Sequence, residues 1–422
     1  MRQTPDPLLV QKKSCTEVVP STREALKSSR RALLSPRPVL LLVTLAAGFT
    51  FSSCCGLPLQ GPVMIDQGWV QFIATLPEGR LVTLYVHHRR AEEMDQVGPP
   101  QPVFIRDSED HGLTWSEPRI AYHHPAGKGV VSGGNPLVDQ EGKLHSFAVR
   151  YFREPTKGTI PGDSSLVHSV SSDGGKTWSE PKTIDYGHPF TGALNSYVAL
   201  RSGRLLVPLS YSDDFTVDPG KCLTVFSDDG GSTWHKGSDD IAVPEGPRGG
   251  HPGALEPVVV ELEDGRVWMI IRTQRGRFFQ AFSADGGETW SEPSPTSLEA
   301  PNAPGAILRL ADGRLVFCWN DLSQFPKKAR DFRQLPGGGV SDRRYLHIAI
   351  SSDDGRTWSR SRQIAQREEG ESPRTNVAYP FLCETADHRI LVTYHRVGST
   401  KEATWWSPIV EVLRIDPDWI AD

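Results

Sequence analysis

A chain of 422 residues with a formal net charge of −5 and no long basic block excludes a nucleic-acid partner, and it is long enough for one large repeat domain behind a leader. Three of its six cysteines, Cys15, Cys54 and Cys55, come early in the chain, and the other three, Cys222, Cys318 and Cys383, sit in apolar, strand-like runs. That distribution excludes a disulfide framework and a zinc-ligand spacing; the last three read as buried thiols, and no metal or organic cofactor is implied.

Residues 1–60 read as a leader. Arg23, Lys27, Arg30, Arg31 and Arg37 precede the apolar run VLLLVTLAAGFTF, Val39 to Phe51, which is followed by SSCCG. A basic region, a short apolar core and small residues describe a secretory signal, and the run is too short to span a bilayer comfortably. Cys54 after FSS also resembles a bacterial lipoprotein cleavage site, with Phe51 where leucine is usual. The expectation is export, to the periplasm, the exterior or a lipid anchor, with any membrane attachment through this leader only. A leader that does not function would leave the protein in the cytoplasm.

From residue 61 to 422 the chain repeats itself. SEDHGLTWSEP at Ser108, SSDGGKTWSEP at Ser171, SDDGGSTWHKG at Ser227, SADGGETWSEP at Ser283 and SSDDGRTWSRS at Ser351 all fit S-x-D-x-G-x-T-W, and they end at Trp115, Trp178, Trp234, Trp290 and Trp358. In the same rhythm a polar turn separates two strand-like runs, at Gly79, Gly142, Gly203, Gly265, Gly313 and His388. Glycine between alternating apolar runs is a strong hairpin signal, because it reaches the positive φ such turns need. Each repeat thus reads strand, tight turn, strand, then a third strand that enters the S-x-D-x-G-x-T-W turn and leaves into a fourth. Four antiparallel strands repeated radially predict an all-β, six-bladed β-propeller, five blades carrying the motif and the last, Thr375 to Ile415, lacking it. The motif aspartates read as turn formers and its tryptophans as peripheral staples between layers.

Asp-box repeats on six blades resemble the sialidase superfamily, and the texture is that of bacterial BNR-repeat proteins. The resemblance runs from Met64 to the end of the chain. Lectin-like propellers carry the same repeats, so function has to be argued from the site. In ALEPVVVELEDGRVWMIIRTQRGRFF, Glu256 opens the first strand of blade four and Arg272 ends the second, so the hairpin at Gly265 sets a carboxylate beside a guanidinium. In NVAYPFLCETADHRILVTY, Tyr379 holds the corresponding position two blades later. The resemblance implies a nucleophilic tyrosine at Tyr379, a glutamate that activates it at Glu256, and a clamp arginine at Arg272. The competing readings are an ordinary cross-strand ion pair and a core tyrosine.

The resemblance implies further site residues. In SDRRYLHIAISSDDG a second clamp arginine is expected at Arg344, with Arg343 as the less favoured neighbour. The family's F-R-I-P arginine is absent: this chain reads WVQFIATLPEGR with Gln71 near that place. Arg89 and Arg90 are candidate substitutes, or the acid is gripped by fewer charges. In RRAEEMDQVGPPQP, Asp95 matches the family's general acid/base, with Glu92 and Glu93 close by. Asn135, Asn195 and Asn302, near the openings of blades two, three and five, and Arg150, ending the blade-two hairpin, are candidates to meet substrate polar groups.

These residues imply a retaining exo-α-sialidase, or a relative that removes another terminal acidic sugar from sialylated or other acidic glycans. Sialidases depart from the usual pair of carboxylates by using tyrosine. The anomeric carbon of sialic acid bears its own carboxylate, so a neutral phenol avoids the repulsion an anionic nucleophile would meet. Two alternatives stay open: a non-catalytic glycan-binding propeller, and a propeller hydrolase or lyase acting on uronic acids.

Overall fold

The computed structural model describes residues 60–67, 72–87, 97–127, 129–151, 164–188, 194–212, 219–237, 241–244, 252–324, 342–398 and 408–422. The leader, Gln71, Arg89, Arg90, Glu92, Glu93 and Asp95 lie outside the described residues, save that the last strand's pairing begins at Gln60.

The hairpins form as their sequences require. At LEDGR the Leu262 N–H donates to the Arg266 carbonyl at 2.7 Å and Gly265 turns at φ 88°. The sixth hairpin has no glycine; His388 adopts φ 57° there, and its ring hydrogen-bonds Glu384 at 3.0 Å. Six four-stranded antiparallel sheets result. Five follow chain order, from the inner strand outwards: blade one is Ile73–Thr75, Leu81–Tyr85, Gln101–Ser108 and Arg119–His124, and blade four is Leu255–Glu261, Val267–Arg272, Arg277–Ser283 and Ser294–Glu299. Blade six takes Asn376–Glu384, Ile390–Val397 and Ile409–Ile415 from the end of the chain, and its outer strand, Gln60–Gln67, from the beginning. Neighbouring blades touch all the way round, the inner strand of blade six meeting that of blade one, so the six sheets close into a β-propeller.

The core is divided among the blade interfaces. Blades one and two enclose Val82, Leu84, Ile105 and Leu144, blades four and five Val258, Ile270, Phe278 and Phe317, and each remaining pair has its own buried cluster. Trp115, Trp178, Trp234, Trp290 and Trp358 each pack at a different interface. The interface of blades five and six receives Trp419 instead, from the C-terminal helix Pro417–Ala421.

The five motif turns share one hydrogen-bond pattern. In the first, the Gly112 N–H donates to Ser108 Oγ at 2.8 Å, and the Thr114 N–H and hydroxyl donate to the two carboxylate oxygens of Asp110 at 2.8 and 2.6 Å. These bonds hold Asp110 below the usual carboxylate range. The motif glycine abuts the preceding blade: a Cβ on Gly355, at φ 77°, would sit 2.4 Å from the Trp268 ring.

Candidate active site

Both Glu256 and Tyr379 precede a proline near the start of an inner strand, in LEPVVV and AYPFLC. Proline cannot donate to the sheet ladder, so pairing breaks at that point. The strand pairing is irregular between Leu255 and Val258 and between Ala378 and Phe381, and Glu256 and Tyr379 take φ 38° and 59°. Bulges re-aim side chains, and left-handed backbone at such residues costs about 1–3 kcal/mol each. The Glu256 N–H, turned out of the ladder, donates to Ser210 Oγ of blade three at 3.2 Å.

The two bulges bring the side chains of blades four and six together. Tyr379 Oη donates to Glu256 Oε1 at 3.1 Å, and Arg272 Nη1 donates to the phenol oxygen at 3.3 Å and forms a tight ion pair with Glu256 Oε2. Arg272 is only 6% exposed, and its Nε donates to Asn302 Oδ1 at 2.7 Å. Burial opposes the Arg272 charge, but Glu256 and Tyr379 outweigh it and hold the guanidinium above its ordinary value. Burial and then Glu256 push the Tyr379 phenol up, against the two arginines beside it, so the hydroxyl is kept neutral.

Arg343, and not Arg344 as expected, is the arginine that lies beside Tyr379. The Arg343 guanidinium lies over the Tyr379 ring at 5.5 Å and donates to the Asn302 carbonyl. Arg344 pairs with Asp342, at 2.9 Å from Nε and 2.8 Å from Nη2. Both arginines precede the strand Tyr345–Ser351, and their backbones bond in different directions. The Arg343 carbonyl accepts from the Val377 N–H of blade six at 2.8 Å, and the Arg344 carbonyl accepts from Arg367 at the outer side of blade five. Burial and the neighbouring Arg272 hold Arg343 below the ordinary arginine range, while Tyr379 and Glu256 act the other way.

The remaining candidates fall elsewhere or serve differently. Arg150 donates to the Pro125 carbonyl at 2.7 Å, where the chain passes from blade one to blade two, and lies near the buried His124, which burial and then Arg150 push down to about 3. Asn135 is buried in the inner strand of blade two, Val130–Val138, with Oδ1 unpartnered; the Asn195 amide in blade three is likewise unpartnered. Asn302 meets the arginines. His395, which sequence reasoning passed over, stacks on Tyr379 with ring centres 5.7 Å apart. It follows His388 by as many residues as Arg272 follows Gly265, so the hairpin register marks the position.

Below the site, Phe72 packs against Ala378, Tyr379 and Phe381, and its ring meets Phe381 at 4.2 Å and Tyr197 at 4.6 Å. These three rings also line the central channel, a cavity of about 590 Å³ that extends between the inner strands to Glu261 and Glu384 at the hairpin end. Among the described residues no cluster of three His, Cys, Asp or Glu side chains could hold a metal ion.

The BNR repeat-like domain family matches residues 71–392. The chain belongs to that family, within the sialidase superfamily. A sialidase of Micromonospora viridifaciens is 27% identical over 320 residues, which are 68% of this chain and 44% of that protein. The chain therefore spans less than half the length of this relative. Among solved structures, the NanB sialidase of Streptococcus pneumoniae aligns with TM-score 0.60 and 16% identity, over 86% of this chain and 71% of that one. A protein of unknown function from Dyadobacter fermentans aligns over its whole length and 84% of this chain, with TM-score 0.56 and 19% identity. At such identities the structural likeness concerns the six-bladed fold.

Proposed function

We propose that this protein is a retaining glycoside hydrolase that removes a terminal sugar bearing a carboxylate at its anomeric carbon, sialic acid first among them. The observation that carries the reading is the convergence of two guanidinium groups on one tyrosine. Arg272 and Arg343 both lie against the neutral phenol of Tyr379, which is bonded to Glu256. Two guanidinium groups beside one neutral phenol are placed to grip a substrate carboxylate next to the nucleophile. Guanidinium groups suit this task because their planar forks make paired bonds to carboxylate oxygens.

In the reaction so read, Glu256 takes the phenolic proton across the 3.1 Å hydrogen bond as Tyr379 Oη attacks the anomeric carbon. The glycosidic bond breaks, the leaving oxygen gains a proton from the general acid, the role expected of Asp95, and a tyrosyl-linked sugar forms. Water then displaces the tyrosine while giving a proton back to the residue that served as general acid, and the phenolic proton returns from Glu256. Two inversions retain configuration. A non-catalytic glycan-binding propeller has no use for a phenol bonded to a base on two strained bulges, which favours the enzyme.

The test is turnover of an aryl α-sialoside beside aryl uronides, with the first-formed anomer followed by NMR. Release from the sialoside with the α product supports the reading. Turnover of uronides alone would move the assignment to uronic acids, and binding of both without turnover of either would make the protein a lectin.

A further inference from the structure

Two like charges buried side by side repel, so the bonds that fix Arg272 and Arg343 have to work against that repulsion. Asn302 touches both. Its side-chain Oδ1 accepts from Arg272 Nε at 2.7 Å and its main-chain carbonyl accepts from Arg343 Nη2. The residue is 3% exposed and its backbone is stiff: the Ala303 N–H donates to the Pro301 carbonyl at 2.7 Å, closing a three-residue turn around Asn302, and Pro301 and Pro304 flank it.

We infer that Asn302 is a positioning residue that holds the two arginines at a fixed separation while leaving their positive charge for a carboxylate-bearing substrate. The inference rests on the reading of the site given above. Its physical content is the neutrality of the bracket. Both acceptors are uncharged oxygens, so they orient the guanidinium groups without cancelling charge. A carboxylate in the same place would accept the same bond from Arg272 and add a negative charge that repels the substrate's own. Asn302 therefore sets selectivity for acidic sugars without being a catalytic residue.

The aspartate variant separates charge from geometry. N302D keeps an acceptor of the same shape, whereas N302A leaves the Arg272 Nε without one. The wild type, N302D and N302A are compared on an aryl α-sialoside and on its carboxamide, reading kcat and KM for each, with thermal melting as the measure of folding. The expected result is a wild-type preference for the acid of tenfold or more, reduced about tenfold in N302D through a higher KM for the acid while the carboxamide is little affected. N302D keeps the acceptor for Arg272 Nε and should melt close to the wild type, and N302A, which leaves that donor without its acceptor, should melt lower. A purely structural role would lower both substrates alike and leave the acid-to-amide ratio unchanged. An acid-preferring wild type whose ratio survives in N302D overturns this inference alone. A wild type with no preference for the acid overturns the substrate reading as well.

Discussion

Replacing Arg343 with methionine tests the charge argument at its centre. The guanidinium lies over the Tyr379 ring at 5.5 Å and bonds the Asn302 carbonyl, and burial together with Arg272 holds it below its ordinary range. A hydrogen bond from such a cation to a substrate carboxylate is worth about 1.5–3 kcal/mol. At 1.4 kcal/mol per decade, R343M should lower kcat/KM on an aryl α-sialoside by about 10- to 150-fold. Part of that loss will appear on the carboxamide too, since Arg343 also lowers the Tyr379 pKa. The decisive quantity is therefore the acid-to-amide ratio, which should fall about tenfold or more. R344M serves as the control: it breaks the pair with Asp342, and its acid-to-amide ratio should stay within about twofold of the wild type. Equal losses on both substrates in R343M, or a larger ratio change in R344M, would refute the assignment of Arg343 to the substrate carboxylate.

Tyr379→Phe should cut turnover of the sialoside by ~10³-fold or more, as removal of a nucleophile does, with the circular dichroism spectrum unchanged; near-normal turnover would end the nucleophile assignment. Trp419→Ala should destabilise the fold by about 1–3 kcal/mol in urea, because Trp419 packs at the one interface that no motif tryptophan fills and lies under Arg362 at 4.7 Å; an unchanged midpoint would make the C-terminal helix dispensable. Stability should fall on acidification below about pH 6.5. Burial pushes His168 and His124 down to about 3 and lowers His145, so they stay neutral in the fold while the unfolded chain takes up protons from its ordinary value of about 6.5 downwards. The effect is absent above that pH and grows as the pH drops towards 3. A urea midpoint that does not change between pH 6.5 and 5 would contradict it.

The architecture was legible because its signals are local and repeated. A glycine that must reach positive φ, a motif aspartate that bonds its own turn and a strand-length apolar run each act within a few residues, and their recurrence counts the blades. Glu256 and Tyr379 were legible for a related reason: equal offsets from their hairpins put them at equal heights on two blades, and the following proline marks the bulge that turns each one inwards. The choice between Arg343 and Arg344 was not legible. Both precede the strand Tyr345–Ser351, and which of them faces Tyr379 depends on a contact between blades, the Arg343 carbonyl accepting from Val377 of the next blade. The role of Asn302 was hidden likewise, since its two partners come from different blades. Ring closure by Gln60–Gln67 joins the two ends of the propeller, and the Trp419 staple fills the interface beside the blade that lacks the motif. Local chemistry dictated the turns, strands and blade count from the sequence alone. Tertiary structure decided which side chains converge, because convergence depends on the register between blades, and that register is set by contacts between residues far apart in the chain.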